Sequence, residues 1–279
     1  MPELPQIQAL AERLDTALRG RRLTAVKPLG FSGLKTVRPS PQELVGREVT
    51  GVDRRGKYVV VSLNEGLRLL FHLGNAGRVD VEEPAKATRP RGAVFRLEAE
   101  GDLGVLVREH GTERQAGLWL LADGDDGPLG RLGPDADEDD FRTLIRTSQE
   151  NRRLHSLLRD QRFAAGIGRG FADDILNCAG LSPFAALRGL DAEARERLLG
   201  CIDGVLAAAL AEERTRTGGL SAARLGEHFS VHNRTGQPCP RCGATLLRVS
   251  YDSYEITYCA HCQTHDRPLA DRRLSRLLR

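Results

Sequence analysis

Apolar residues at Ile7, Leu10, Ala11, Leu14 and Leu18 recur at three- and four-residue intervals, so residues 5–19 are predicted to form an amphipathic helix that Gly20 stops. From about residue 23 to 121 the pattern shifts to short alternating or β-rich runs, at 48–52, 58–63, 67–72 and 103–107, separated by Gly and Asn-Glu-Gly turns. Such runs predict a sandwich of two antiparallel sheets. Residues 122–140 are acidic and contain Gly and Pro, which marks a boundary. Helical patterning then returns, with one helix over about 139–160, the loop Gly166-Ile-Gly-Arg-Gly170 and a helix from Phe171 to Ala179. Ser182-Pro183 reads as a helix start, and a long helix follows Asp191 and ends near Gly218-Gly219. Residues 220–232 are polar and predict no element.

The fold class expected from this order is α+β and multidomain. An N-terminal antiparallel β-sandwich domain with flanking helices covers 1–122 and an acidic linker 123–138. A helical domain spans 139–232, a cysteine module 233–265 and a basic tail 266–279. No run approaches the roughly 18 apolar residues of a membrane span, and no apolar stretch follows the N-terminus, so a cytoplasmic protein is expected. Net charge is +3, yet eight acids face one base, Arg131, between Asp123 and Asp140. The rest of the chain is correspondingly basic, which suits a polyanion partner.

Cys239-Pro-Arg-Cys242 and Cys259-Ala-His-Cys262 are two Cys-x-x-Cys pairs 16 residues apart, the spacing of a four-thiolate zinc ribbon. One structural zinc ion is expected on Cys239, Cys242, Cys259 and Cys262. His261 is expected at the surface, and Cys178 and Cys201 are expected as core thiols on helices. At the other end, Met1 precedes Pro2-Glu3-Leu4-Pro5. A small second residue permits methionine removal, which would expose a secondary amine able to form an iminium with an aldehyde or acetal carbon. Pro2 and Pro5 equally suit the first turn of a helix. The glycine loop is open to two readings, a phosphate cradle or a tight helix–helix turn, with Arg169 favouring the first. Lys57 follows Arg54-Arg55-Gly56, a basic hairpin that by itself is only a solvated turn.

Taken together these motifs resemble the formamidopyrimidine-DNA glycosylase/endonuclease VIII family of base-excision repair enzymes. The residues that carry the resemblance are Pro2-Glu3-Leu4-Pro5, Asp53-Arg-Arg-Gly-Lys57-Tyr58, His72-Leu-Gly74, Gly166-Ile-Gly168 with Leu181-Ser-Pro183, Arg234-Thr-Gly-Gln-Pro-Cys239 and Cys262-Gln263. The resemblance implies a helix-two-turn-helix domain beside the sandwich, and damaged double-stranded DNA as partner. Single-stranded or bubble DNA is a further candidate, and the protein would act as a monomer, on the bacterial nucleoid when bound. It implies that Pro2 attacks C1′ of a flipped nucleotide, that Glu3 manages protons at the sugar, and that the abasic product is cleaved by β- and δ-elimination. Lys57 joins Pro2 and Glu3 as catalytic. His72, Arg114, Gly168, Arg169 and Arg234 would contact DNA, and Asp174 would support the catalytic end.

The chain departs from the family pattern at several places. Gln6 stands where the family usually has Glu, Arg169 where it has Asn, and Tyr254 where the finger usually carries an Arg. Asn75, Arg114 and Ala116 occupy the positions that fill the gap left by a flipped base. The segment before the cysteine module also looks short. These departures motivate a rival reading, a non-catalytic binder of damaged or distorted DNA on the same fold. A zinc-ribbon transcription or RNA-binding module would leave Pro2-Glu3 unexplained.

Overall fold

The computed structural model describes residues 1–30, 32–110, 115–216, 229–251 and 254–270. The chain divides into two compact units, Met1–Arg131 with Leu210–Leu225, and Leu132–Ala209 with Gly226–Arg279. The division falls inside one long helix.

In the first unit, α1 (Leu4–Leu18) buries Ile7, Leu10, Ala11, Leu14 and Leu18, the stripe its spacing predicts. Its Asp15 carboxylate accepts the Val52 N–H (2.7 Å), which ties it to β2 (Val49–Arg55). β1 (Leu23–Pro28), β6 (Ala93–Ala99), β7 (Leu103–Glu109) and β5 (Gly77–Glu82) form one sheet in the order β1-β6-β7-β5. The other sheet runs β2-β3-β4-β8, with β3 at Tyr58–Leu63, β4 at Arg68–His72 and β8 at Gly117–Leu121. Neighbouring strands in both sheets are antiparallel. A single apolar cluster joins them, with Val59, Leu69, Phe71, Phe95, Val105 and Leu118 completely buried. This is the expected sandwich.

In the second unit the helix expected over 139–160 is two helices, α2 (Asp139–Thr147) and α3 (Leu154–Arg159). The break has a local cause. Ser148 Oγ accepts the Glu150 N–H (3.2 Å), and Glu150 Oε1 accepts those of Asn151 (3.0 Å) and Arg152 (3.2 Å). These side-chain oxygens take amides that a continuous helix would need. α4 (Arg169–Ala179) follows the glycine loop, and α5 (Ala192–Thr215) is the long helix that crosses the division. Its expected end at Gly218-Gly219 lies outside the described residues, as do most of 220–232 and of the basic tail.

One expectation is corrected. Cys178 on α4 is exposed and Cys201 on α5 half-buried, and the two form a disulfide with Cα atoms 5.8 Å apart. They lie where the two helices meet, within the span a disulfide bridges. β9 (Leu246–Ser250) and β10 (Glu255–Cys259) form the hairpin of the cysteine module, and α6 (Ala260–Thr264) closes it. Among the described residues no helix is long and apolar enough to cross a membrane.

Candidate functional site

In the first unit Pro2 and Glu3 are buried at the head of α1. Glu3 is the N-cap: its side chain accepts a backbone N–H of the first turn, and Gln6 Oε1 accepts the Glu3 N–H in return (2.9 Å). This reciprocal box works with Gln as well as with Glu. Lys57, in the turn between β2 and β3, is buried. His72 closes β4 opposite Tyr58, their rings 5.0 Å apart. Burial first, then the charges of Lys57 and the amino terminus, hold the His72 imidazole down at about 4 from its usual 6.5. It is therefore neutral near pH 7. Its Nδ1 accepts the Gly74 N–H (3.1 Å), so the ring proton sits on Nε2. The head of the chain, Lys57 and His72 thus share one electropositive corner.

Gly74 turns the chain at φ +57°, and a Cβ there would lie 2.7 Å from that of Gln115. The turn carrying Asn75 therefore abuts the segment at 115–116. Glu109 accepts the backbone N–H groups of Gln115 (2.7 Å) and Ala116 (2.8 Å). Asn75 and Gln115 are exposed but Ala116 is buried, so the methyl group at 116 projects inward. Arg114 lies outside the described residues.

In the second unit Gln161 clamps the glycine loop. Its Nε2 donates to the carbonyls of Ile167 (2.7 Å) and Arg159 (3.0 Å), and its Oε1 accepts the Gly166 N–H (3.0 Å). Gly168 is the N-cap of α4 and Arg169, half-buried, its first residue. Asp174 accepts the N–H groups of Ser230 (2.8 Å), Val231 (2.9 Å) and His232 (3.0 Å). Its pKa is raised because burial outweighs these bonds. Asp174 thus organises residues 230–232 within the second unit. Its neighbour Asp173 pairs with His155 Nε2 (3.1 Å) and His232 Nδ1 (2.6 Å) and accepts the Thr257 N–H (3.2 Å). Arg234 bonds its own loop, through the Phe229 carbonyl and Gln237 Oε1.

The sulfurs of Cys239, Cys242, Cys259 and Cys262 lie within 4.8 Å of one another. Two of the separations are 4.0 Å (Cys239–Cys262) and 3.6 Å (Cys242–Cys259). A tetrahedral zinc ion with bonds of about 2.3 Å puts its sulfurs about 3.8 Å apart, so the four fit it. Asn177 on α4 donates to Cys239 Sγ (3.6 Å) and Gln263 Oε1 (3.2 Å), and Gln263 donates to the Leu181 carbonyl (2.9 Å). His261 is exposed beside Asp266, as expected.

Residues 1–111 match the model of the formamidopyrimidine-DNA glycosylase N-terminal domain, and 236–264 that of the zinc finger found in FPG and IleRS. The formamidopyrimidine-DNA glycosylase of Moorella thermoacetica is 34% identical over 265 residues, 89% of this chain and 94% of that protein. The chain belongs to the formamidopyrimidine-DNA glycosylase family. A second relative, from Chloroflexus aggregans, is 31% identical over 94% of this chain and 98% of that protein. The Thermus thermophilus MutM (Fpg) structure superposes with a TM-score of 0.78 at 29% identity, covering 94% of this chain and 98% of that one. Lactococcus lactis Fpg, in complex with DNA containing N7-benzyl-Fapy-dG, has the same fold, with a TM-score of 0.81 at 22% identity over 94% and 100% of the two chains.

A formamidopyrimidine-DNA glycosylase homologue is a DNA glycosylase of base-excision repair with DNA as partner, and this chain carries the family's one structural zinc. The structure gathers Pro2, Glu3, Lys57 and His72 in the first unit. Gly168, Arg169, Asp174, Arg234 and the four cysteines all belong to the second. Sequence reasoning missed Gln161, His155, Asp173 and Asn177. Asp173 and Gln161 sit in or beside motifs already noticed, whereas the pairing of His155 with Asp173 joins residues from separate segments and leaves no periodic trace.

Proposed function

We propose that this chain is a bifunctional DNA glycosylase and abasic-site lyase that removes oxidised or ring-opened bases through the Pro2 nitrogen, freed by loss of Met1. The observation that carries the reading is the burial of Pro2 and Glu3 in the same corner as Lys57 and a neutral His72. The proline lone pair attacks C1′, and the bond to the damaged base breaks with its electron pair leaving on the base. Glu3 serves the sugar, protonating the ring oxygen as the iminium forms. The iminium then accepts the electrons of the C2′–H bond when that proton is removed, and the 3′ phosphate departs by β-elimination. A second elimination releases the 5′ phosphate.

Lys57 and the Nε2–H of His72 are suited to the phosphates flanking that sugar, one as a charge and one as a neutral donor. Arg169 at the start of α4 adds a positive charge where backbone amides already favour an anion. Arg234 positions the 229–237 loop. Zinc, when bound, holds the finger's two knuckles together and takes no part in the chemistry. The intact Gln6–Glu3 box weighs for the enzyme over a non-catalytic binder, because the residue that departs from the family pattern keeps the cap. Because Ala116 is buried and Asn75 is short, discrimination by the opposite base is expected to be weak, and single-stranded or bubble DNA is a suitable substrate. The protein is expected to act as a monomer.

Borohydride trapping on abasic DNA tests this reading. Pro2→Gly should weaken the covalent adduct, and blocking the amino terminus should abolish it, while DNA binding persists through phosphate contacts. Undiminished trapping by the blocked protein would remove Pro2 from the mechanism.

A further inference from the structure

Arg153, the residue that caps α3, lies exposed with its guanidinium 4.1 Å from the centre of the Phe184 ring. One of its nitrogens donates to the Tyr251 hydroxyl (3.2 Å). Arg159, at the other end of α3, lies 4.2 Å from the centre of the Tyr254 ring. Tyr251 and Tyr254 are themselves stacked, 4.6 Å apart and 12° from parallel, and Tyr254 is also stacked with buried His155 (6.2 Å, 13°). The result is a row of rings with a guanidinium at two points along it, all within the second unit.

Several arginines described in this unit face a carboxylate. Arg142 pairs with Asp203, Arg146 with Glu196, Arg152 with Glu150 and Asp160, and Arg248 with Glu255. Among the described residues neither Arg153 nor Arg159 has an acidic partner. Among the described residues, acids near them in sequence or on the finger are already engaged: Glu150 and Asp160 by Arg152, Glu255 by Arg248, and Asp173 by His155 and His232. A guanidinium that lies over a ring uses its face, while the N–H donors on its edge stay available for bidentate bonds. The backbone beneath Arg153 is also held. The N–H groups of Leu154 and His155 donate to the carbonyls of Ala185 (2.7 Å) and Pro183 (3.2 Å). Two cations with no acidic partner among the described residues, held against rings on an anchored backbone, are arranged to take an anion that arrives from outside the chain.

We propose that Arg153 and Arg159, seated on Phe184, Tyr251 and Tyr254, form a phosphate-binding site for the sugar-phosphate backbone of DNA. The proposal rests on the reading of the chain as a DNA enzyme, and it supplies charge on the finger side of the second unit. The finger hairpin provides the ring at Tyr254, and α3 provides the cation above it.

The test is equilibrium binding of an undamaged duplex as a function of salt. Each phosphate contact contributes close to one unit of slope in a plot of log K against log salt. Arg153→Gln with Arg159→Gln should lower the slope by about two units, whereas Arg153→Lys with Arg159→Lys should keep the slope and bind more weakly. Tyr254→Leu should weaken binding with Arg159 still present. An unchanged slope in the glutamine variant, with its melting temperature intact, would overturn the site and leave an acidic protein segment as the alternative occupant. Borohydride trapping by the unmodified protein, run in parallel, separates the two readings. Absent trapping with a reduced slope in the glutamine variant defeats the proline mechanism alone. Normal trapping with an unchanged slope defeats this site alone.

Discussion

The Gln6 side chain hydrogen-bonds the Glu213 carboxylate, and both residues are almost completely buried in the first unit. The amide has two tasks, since its oxygen already accepts the Glu3 N–H. A carboxylate at position 6 could perform the second task but not donate to Glu213. Burial raises the pKa of Glu213, and Arg216 and Gln6 offset it in part. Gln6 thus suits a chain that carries a buried acid at 213.

Gln6→Glu should therefore destabilise the fold by roughly 1–3 kcal/mol, because it leaves a buried acceptor without its donor and brings two carboxylates together. The folded-state pKa of Glu213 is raised, so its favourable contribution is complete below the usual 4.5 and is lost as pH rises through the folded value. The penalty of Gln6→Glu should follow the same direction and grow toward neutral pH. Urea unfolding at several pH values measures it, and adding Glu213→Gln should restore most of the loss. Equal stability of Gln6→Glu and the parent at neutral pH would show that the pair is not coupled.

His72 gives the opposite sign. Its folded-state pKa is depressed from 6.5 to about 4, so the stability it confers is present above 6.5 and is lost as pH falls toward and through about 4. Protonation would also cost the bond from the Gly74 N–H. His72→Gln should flatten the fall in urea midpoint between neutral pH and pH near 4, while weakening DNA binding. A parent protein whose midpoint does not fall over that window would contradict the assignment of a neutral, buried imidazole.

The sandwich and the zinc module were legible because both rest on local signals: alternation along 58–63 and 67–72, and two Cys-x-x-Cys pairs. The stripe of α1 was legible for the same reason. The break between α2 and α3 was not, because Ser148 and Glu150 act through their own side-chain oxygens, and those are invisible to hydrophobic period. Ala116 was assigned to the gap-filling edge by position, but its direction depends on Glu109 holding the backbone at 115–116. Cys178 and Cys201 read as core thiols, yet form a disulfide between α4 and α5, a pairing of separate segments that no spacing along the chain encodes.

That disulfide should make the second unit sensitive to reductant. The bond closes a loop with a sequence separation of 23, and loops of this size are stabilised by about 3 kcal/mol through the unfolded state. Dithiothreitol should lower the melting temperature of the parent by several degrees and leave Cys178→Ser with Cys201→Ser unaffected. Thiol titration of the unfolded, zinc-free protein should find two more thiols after reduction than before. The same count in both conditions would mean that the two cysteines remain reduced.

Zinc removal should act farther than the finger. Among the described residues, the apolar cluster around the thiolates is Val231, Cys239, Leu246 and Cys259, with Ala244 and Cys262 beside it; three of these six are the metal's own ligands, so the module should not hold together without it. Asn177 and Gln263 then connect the ligands to α4 and Leu181. Chelation should remove one zinc per chain and abolish DNA binding while the sheets of the first unit keep their circular dichroism. DNA binding unaffected by complete loss of zinc would refute the scaffold role.

Gly170 offers the sharpest steric test. A Cβ at this position would lie 2.1 Å from the Phe229 ring. That ring packs edge-on against Phe171 (5.1 Å) and His232 (5.1 Å), next to the backbone amides that Asp174 holds. Gly170→Ala must therefore move Phe229 or the first turn of α4, at a cost of about 1–3 kcal/mol, and should weaken DNA binding by disturbing Arg169 and the glycine loop together. Adding Phe229→Leu should recover part of the stability by making room. Gly189→Ala is the control, since nothing lies within 4 Å of its added carbon. Urea unfolding of the three variants separates the outcomes. A Gly170→Ala protein as stable as Gly189→Ala would show that Phe229 yields freely and does not anchor the loop.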